Sequence, residues 1–253
     1  MSRRPKVCPG CAFTLIELLV VMAIIGVLAA LLNTGIAKFK MSAQSTVCKS
    51  NLRQLGNGLE MFLSENHRYP MNNRQTNPPS PANSDRLWLG QLARDAFGIA
   101  QPTPGFHREG VWRCPSAKWS AMMMSSGFTQ FSDFGYNDDK FSGKGPDDEA
   151  NKFGLQGHYI SDKNSYAPIA ESEVVAPSEM MAIADCFEGN AIFMRKPIGA
   201  FEDLGNVRTR HGGKVNVVFC DGHIEAPTLN FVFENPSDKA LRRWNRDHEP
   251  HVK

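Results

Sequence analysis

A run of apolar residues near the start of the chain constrains its fold most strongly. Residues 13–32, FTLIELLVVMAIIGVLAALL, span 20 positions with a single charged side chain, Glu17. At about 1.5 Å per helical residue, such a run reaches about 30 Å, the thickness of the hydrocarbon core of a bilayer. The sequence therefore predicts a transmembrane helix over residues 13–32.

The short segment before this run is basic. Residues 1–12 carry Arg3, Arg4 and Lys6 and no acidic residue, and positive flanking charges keep that end of a membrane helix in the cytoplasm. No second apolar run of comparable length follows in the sequence. We therefore predict a single-pass anchor with a cytoplasmic N-terminus and a domain at residues 70–253 outside the membrane.

A helical pattern continues beyond the apolar run. Apolar positions recur at spacings of three and four, at Ile36, Phe39, Ala43, Val47, Cys48, Leu52, Leu55, Leu59 and Phe62. The residue before a proline disfavours the helical conformation, so Tyr69-Pro70 closes the pattern. We predict that residues 33–69 are an amphipathic continuation of the membrane helix, which ends near Glu65.

The rest of the chain predicts short helices and strands. We expect a helix at 85–97 capped by Ser84, and strands at 110–115, 131–136 and 179–186. The clearest element is a hairpin at 214–226, in which Asp221-Gly222 predicts a two-residue turn with both residues at positive φ. These elements predict an α+β fold, with an antiparallel sheet packed on one long N-terminal helix.

Charge and motif content argue against two classes of function. The 28 Lys and Arg residues are balanced by 26 Asp and Glu residues, unlike the basic excess of a nucleic-acid-binding domain. One basic and aromatic segment, at residues 242–246, is explained equally well as a solvated helix. The sequence has no G-x-S-x-G, H-E-x-x-H or phosphate-binding glycine loop. We therefore expect neither a nucleic-acid partner nor an enzyme.

The acid inside the apolar run is the most specific signal in the sequence. A charged side chain in a membrane helix costs about 2.5–3.5 kcal/mol on insertion scales, so Glu17 needs a partner. Residues 12–19, AFTLIELL, resemble the class III signal of type IV prepilins and pseudopilins. The alternatives are an ordinary signal anchor and a Glu17 side chain that reaches towards the membrane surface.

This resemblance implies how the N-terminus is processed. A prepilin peptidase would remove the leader, residues 1–12, by cutting between Ala12 and Phe13, and the new amino group would be methylated. Glu17 would then pair with the amino terminus of a neighbouring subunit during assembly. The family most often has glycine where this chain has Ala12.

Further motifs extend the resemblance to a large bacterial group of prepilin-like proteins. His211, followed after nine residues by Asp221 and Gly222, resembles the H-X9-DG signature of that group. Residues 48–54 (CKSNLRQ), 114–116 (CPS) and 177–185, from PSE to AD, are also similar to its patterns. The resemblance implies a pilin-like fold.

The resemblance also implies a structural role, as a subunit of a type IV pilus-like or type II secretion-like filament. Its partners would be the prepilin peptidase, other pilin-like subunits and the filament assembly platform. The protein would lie in the inner membrane before assembly and in a periplasmic or extracellular filament afterwards. The alternative is a membrane-anchored extracytoplasmic binding protein or enzyme that uses this leader for export and holds a metal or ligand near the H-X9-DG hairpin.

The chain has six cysteines. Cys8 and Cys11 form a CxxC pair in the predicted leader, which cleavage would discard. The other four would lie in an oxidising compartment, where an even number indicates two disulfides, although spacing leaves all three pairings open. The resemblance favours Cys48 with Cys114, which leaves Cys186 with Cys220. Free thiols are the alternative.

A metal site is the second interpretation of the hairpin residues. His211, Asp221 and His223, together with Asp185, could converge there, and imidazole and carboxylate groups suit zinc and other divalent ions. We prefer the simpler assignment, in which Asp221 serves the turn and His211 hydrogen-bonds the start of a strand, and we expect no cofactor. The loop acids Asp138, Asp139, Asp147 and Asp148 lack the spacing of a calcium loop.

Overall fold

A computed structural model of the chain describes residues 14–72, 87–102, 105–119, 132–138, 153–160, 165–187, 189, 191–192 and 197–251. The chain divides into two compact units, Met1–Ala43 and Gln44–Lys253. The first helix, α1, is Leu15–Asn66, and it contributes residues to both units. Its C-terminal end agrees with the end predicted near Glu65.

The first unit contains the apolar part of α1. Its large apolar side chains are exposed, among them Leu15, Ile16, Met22 and Val27. Within the described residues, no helix combines the length and the apolar character that crossing a membrane requires. The transmembrane segment at 13–32 therefore stays a prediction.

The second unit is built on a five-stranded sheet in the order β5-β1-β4-β6-β7. Its strands are β1 (Phe134–Asn137), β4 (Met181–Asp185), β5 (Ala191–Ile192), β6 (Val217–Phe219) and β7 (Ile224–Glu225). Strands β2 (His158–Ile160) and β3 (Ser165–Ala167) form a separate antiparallel pair. The β1–β5 pair is parallel and the other pairs are antiparallel. The predicted α+β class with a mainly antiparallel sheet is confirmed.

Short helices surround the sheet. The α-helices are α2 (Trp88–Asp95), α3 (Leu229–Phe233) and α4 (Asp238–Arg242), and the 3-10 helices are Phe106–Arg108, Gly110–Trp112, Glu171–Glu173, Ile198–Leu204 and Arg210–Gly212. The predicted helix at 85–97 is thus shorter, and Ser84, its predicted cap, lies outside the described residues. The strand predicted at 110–115 is wrong, because a 3-10 turn occupies its first half.

Both faces of β6 are buried, so alternate residues enter two different cores. Val218 packs with the α1 residues Cys48, Leu52, Leu55, Leu59 and Phe62. Val217 and Phe219 pack with Leu229, Phe233 and Trp244 on the other side. The helical spacing read from residues 48–62 therefore marks the part of α1 that packs in this unit. Packing of the whole long helix on the sheet is not confirmed, since the described core includes α1 residues only from Cys48 onwards.

The hairpin of β6 and β7 is confirmed, but its turn differs from the prediction. Phe219 N donates to His223 O, and Gly222 N donates to Phe219 O. Gly222 has a φ of 80°, whereas Asp221 is not at positive φ. This is a three-residue loop, a type I turn closed by a left-handed glycine, rather than a two-residue turn. Helix α1 approaches it closely, because a Cβ at Gly56 would lie 3.1 Å from Val218 Cγ1 and 3.3 Å from Gly222 O.

Candidate functional site

Glu17 closes a capping box at the start of α1. Its Oε2 atom accepts hydrogen bonds from Thr14 N at 2.9 Å and from Thr14 Oγ1 at 2.7 Å, and its own N–H donates to Thr14 Oγ1 at 3.3 Å. This reciprocal pattern satisfies N–H groups that a helix start leaves without helical partners. The Thr-x-x-Glu spacing at residues 14–17 is a sequence signal for this box, which the assembly role predicted for Glu17 does not include. The predicted cleavage residues, Ala12 and Phe13, and Cys8 and Cys11 lie outside the described residues.

A second site lies inside the globular unit, where four side chains from distant parts of the sequence converge. Cys48, Cys114, Asp185 and His211 each present one atom that can bind a metal, and these atoms all lie within 4.8 Å of one another. The cysteines and the aspartate have no exposed surface, and the histidine side chain is 2% exposed. Each of these residues stands out in the sequence, but no sequence pattern groups the two cysteines with the histidine.

The distances within this group of four side chains, which we call the buried cluster, are short. His211 Nε2 lies 3.3 Å from Cys114 Sγ and 3.4 Å from Asp185 Oδ1. Cys48 Sγ lies 3.4 Å from the same Asp185 Oδ1. The contacts therefore meet at two atoms, Asp185 Oδ1 and His211 Nε2, around a common centre.

Asp185 is oriented by its neighbour across the sheet. Its position at the end of β4 sets it beside Asn216, which leads into β6. The backbone N–H of Asn216 donates to Asp185 Oδ2 at 2.7 Å, and Nδ2 of the same residue donates to that oxygen at 3.0 Å. Asn216 Nδ2 also lies 3.6 Å from Cys48 Sγ. These bonds hold Oδ2 and turn Oδ1 towards the buried cluster.

Cys114 and His211 are held by loops. The backbone N–H of Cys114 donates to Asp133 Oδ2 at 2.8 Å, and Arg113 Nε and Trp119 Nε1 bind that carboxylate as well. These contacts hold the segment that follows the 3-10 turn Gly110–Trp112. His211 has a φ of 50°, an uncommon conformation for a residue other than glycine, which tertiary contacts must stabilise.

The buried groups influence one another's protonation. A hydrogen bond from Cys48 is the main reason that the pKa of Cys114 falls to about 6, although burial alone would raise it. Burial lowers the pKa of His211, but hydrogen bonds to Asp185 and Cys114 outweigh this effect and raise the pKa to about 9. Burial raises the pKa of Cys48. Cys114 and His211 therefore favour a thiolate and an imidazolium in the absence of another cation.

This geometry differs from a catalytic triad. In a triad the carboxylate orients the histidine through one ring nitrogen while the other nitrogen faces the nucleophile. Here Asp185 and Cys114 face the same atom, Nε2, and the buried Nδ1 has no hydrogen-bond partner in the described part of the chain. The four side chains are arranged like metal ligands around one ion. Without an ion, Cys114 and His211 form a thiolate–imidazolium pair that is buried and therefore not accessible to a substrate.

The other predicted metal candidates are not part of the buried cluster. Asp221 and His223 lie beyond the far end of β6 from His211, where His223 Nδ1 is 2.5 Å from Asp221 Oδ1 and both side chains are more than one third exposed. The grouping of His211, Asp221 and His223 is therefore wrong, since β6 separates the first from the other two. Among the loop acids, Asp138 is buried and accepts a hydrogen bond from Asn72 at 2.6 Å. Asp139, Asp147 and Asp148 lie outside the described residues.

The four cysteines of this unit are free thiols in the structure. Cys48 and Cys114 are neighbours, as predicted, but they are not bonded. The pairing of Cys186 with Cys220 is wrong, because the register of β4 and β6 places them at opposite ends of the strand pair. Cys220 lies opposite Met180, so six residue steps of about 3.3 Å put about 20 Å between the two cysteines, and a disulfide requires Cα atoms within about 7 Å.

The basic segment at residues 242–246 does not form a binding face. Trp244 is 1% exposed, and its Nε1 donates to Val232 O. Arg243 pairs with Glu225 and Glu179, and Arg246 with Glu173. Nucleic-acid recognition uses accessible cations and aromatic rings, which this buried segment does not provide.

Comparisons with known proteins agree with the N-terminal motif. A family model described as the prokaryotic N-terminal methylation motif matches residues 11–33. Type II secretion system core protein G of Escherichia coli is 35% identical over 106 residues, which cover 38% of this chain and 73% of that protein. The protein of the same name from Dickeya chrysanthemi is 31% identical over 118 residues, covering 42% and 74%. Type IV major pilin protein PilA of Myxococcus xanthus is 44% identical over 57 residues, covering 22% and 26%. No solved structure matches the chain.

Proposed function

Because the chain belongs to the prepilin-like family of type IV pilins and type II secretion pseudopilins, we propose that it is a structural subunit of a type IV pilus-like or type II secretion-like filament. The observation that carries this proposal is the methylation-motif match at residues 11–33, together with relatives covered over 73% and 74% of their length. These relatives are structural proteins, and the prediction that the chain is not an enzyme is confirmed.

As such a subunit, the chain is made as a precursor in the inner membrane. Prepilin peptidase removes residues 1–12, and the amino group of Phe13 is methylated. Residues 13–32 hold the precursor in the membrane, with the domain outside, until the assembly platform adds it to a filament beside other pilin-like subunits. The motif match spans both sides of the predicted cut and supports this order of events.

In the assembled filament, Glu17 binds the amino terminus of an adjacent copy. The energetic reason is that an acid among apolar side chains is costly without a counter-charge. The capping box supports this role, because Thr14 holds the carboxylate one turn from the chain end that cleavage would create. The same carboxylate therefore serves the helix start and the contact between subunits.

The intact mass of the chain isolated from membranes tests this function. We expect a mature polypeptide that begins at Phe13 and carries one methyl group, and we expect the same species in sheared or overproduced filaments. A strain without prepilin peptidase is the control, and it should yield the chain with its leader and no filament incorporation. Recovery of the unprocessed chain from cells with active peptidase would contradict the proposal.

A further inference from the structure

We propose that Cys48, Cys114, Asp185 and His211 form a structural zinc site that fastens α1 to the sheet and to the loop after residue 112. The inference does not depend on the filament role, because all four residues lie in the unit Gln44–Lys253. It rests on the chemistry of the donors, their spacing and the residues that hold them.

The donor set suits zinc better than the hard divalent ions. Structural zinc sites are four-coordinate and combine cysteine sulfur with histidine nitrogen, and carboxylate oxygen is also a zinc ligand. Calcium and magnesium prefer oxygen ligands alone. The buried cluster offers two sulfurs, one imidazole nitrogen and one carboxylate oxygen.

The spacing of the donors agrees with a tetrahedral ion. Zinc bond lengths of about 2.0–2.3 Å at tetrahedral angles place neighbouring ligand atoms about 3.3–3.8 Å apart. The three contacts measured in the buried cluster are 3.3, 3.4 and 3.4 Å, and every donor lies within 4.8 Å of the others. The side chains would need little rearrangement to bind the ion.

The surrounding residues already hold Asp185 and Cys114 as metal ligands are usually held. Metal-binding carboxylates are themselves hydrogen-bonded, which fixes the oxygen that faces the ion. Asn216 does this for Asp185 by binding Oδ2 twice and leaving Oδ1 towards the two sulfurs and the imidazole. Asp133 similarly fixes the backbone at Cys114.

Both sulfurs of the buried cluster are available to an ion, because Cys48 and Cys114 are free thiols in the structure. A disulfide between them would leave Asp185 paired with the imidazolium of His211. A divalent ion would take the place of that counter-charge, and it would bind the thiolates, the carboxylate and a neutral imidazole together.

The test uses the full-length chain, extracted in mild detergent without chelator, with the free thiols of one sample alkylated before any reductant is added. We expect zinc at about one ion per chain by elemental analysis. Removal of zinc should lower the thermal unfolding temperature, and readdition should restore it. Cobalt in place of zinc should give thiolate-to-cobalt charge-transfer absorption, which reports sulfur ligands directly.

Variants separate this site from adventitious binding. Cys114→Ser and His211→Ala should lose the zinc and the cobalt absorption, whereas Cys220→Ser, which alters a buried thiol outside the cluster, should keep both. The chelation and cobalt measurements on the unmodified chain decide the question even where a variant does not fold. Failure of the reduced chain to take up zinc or cobalt, or a Cys48–Cys114 disulfide in the chain as isolated, would overturn the proposal.

Discussion

Cys114 and His211 stand 97 positions apart in the sequence, and Cys114 Sγ lies 3.3 Å from His211 Nε2. Other residues hold both side chains in this contact. Asp133 fixes the backbone of Cys114, and the contact with Asp185 fixes the ring of His211. The functional geometry of the buried cluster therefore depends also on residues, such as Asp133, that do not themselves bind the ion.

The first prediction concerns Asn216 as a positioning residue. Asn216→Ala removes the side-chain hydrogen bond to Asp185 Oδ2 and leaves only the one from the backbone N–H, so the carboxylate is held less firmly towards the buried cluster. We expect about 10- to 100-fold weaker zinc binding, measured by competition with a chromophoric chelator. Asn245→Ala is the matched control, since Asn245 is also buried and its amide donates to Glu249 O rather than to a member of the cluster. Equal zinc affinity in the Asn216 variant and the unmodified chain would contradict this role.

The second prediction concerns His107 and pH. Burial, followed by the nearby Arg108, lowers the pKa of His107 to about 4 against an opposing effect of Asp133. The unfolded chain protonates this histidine near pH 6.5 and the folded chain does not, so stability should fall as pH decreases from about 6.5 towards about 4. Between pH 7 and pH 5 this loss amounts to about 2 kcal/mol.

His107→Phe should remove that part of the pH dependence, measured as the free energy of unfolding in urea at pH 7 and pH 5. The imidazole Nε2 is buried without a hydrogen-bond partner in the described part of the chain, and the ring packs on Phe106, so an apolar ring fits the site. His67→Asn is the control, because the His67 side chain is 81% exposed and asparagine tolerates its positive φ. An unchanged pH dependence in His107→Phe would show that other groups cause the loss.

The third prediction concerns the hairpin glycine. Gly222→Ala places a Cβ at a φ of 80° and against the Glu60 side chain of α1. We expect a loss of about 1–2 kcal/mol in the free energy of unfolding, because a non-glycine residue is strained in the left-handed region. Gly199→Ala, at a position with no heavy atom within 4 Å of the added Cβ and no positive φ, should change stability little. Equal effects of the two substitutions would refute the assigned turn geometry.

The fourth prediction separates the two roles of Glu17. Glu17→Gln keeps an oxygen that can accept from Thr14, so the capping box survives, but the charge is lost. Thr14→Val keeps the charge and removes the hydroxyl, at a cost of about 1 kcal/mol to the helix start. We expect Glu17→Gln to fail in filament incorporation and Thr14→Val to assemble, measured from sheared filament fractions. Normal assembly of Glu17→Gln would leave capping as the role of Glu17.

Local patterns predicted the elements whose causes are local. The spacing of Leu52, Leu55 and Leu59 identified the buried face of α1, and the alternation around Val217 with Asp221-Gly222 identified the hairpin. The turn type was wrong because a single left-handed residue, Gly222, already closes the loop. The strand prediction for residues 110–115 is wrong because Gly110–Trp112 form a 3-10 turn, and the segment after it is held by Asp133, nineteen positions away from Cys114.

Local sequence patterns could not predict the buried cluster. Cys48 and Asp185 are 137 positions apart, and only the pairing of β4 with β6 brings Asp185 beside Asn216. Even counts of cysteines indicate disulfides only when the partners can meet, and strand register prevents Cys186 from meeting Cys220. The H-X9-DG pattern identifies His211 as a notable residue. It does not show that His211 and Asp221 lie beyond opposite ends of β6.

The wide sequence separation within the buried cluster has a kinetic consequence. Its members can meet only after the long-range pairing of β4 with β6 and the packing of α1 are in place, so their mutual contacts form late in folding. Interactions absent from the folding transition state leave the folding rate nearly unchanged and slow unfolding instead. A crosslink among these four side chains would therefore extend the lifetime of the native state rather than speed its formation.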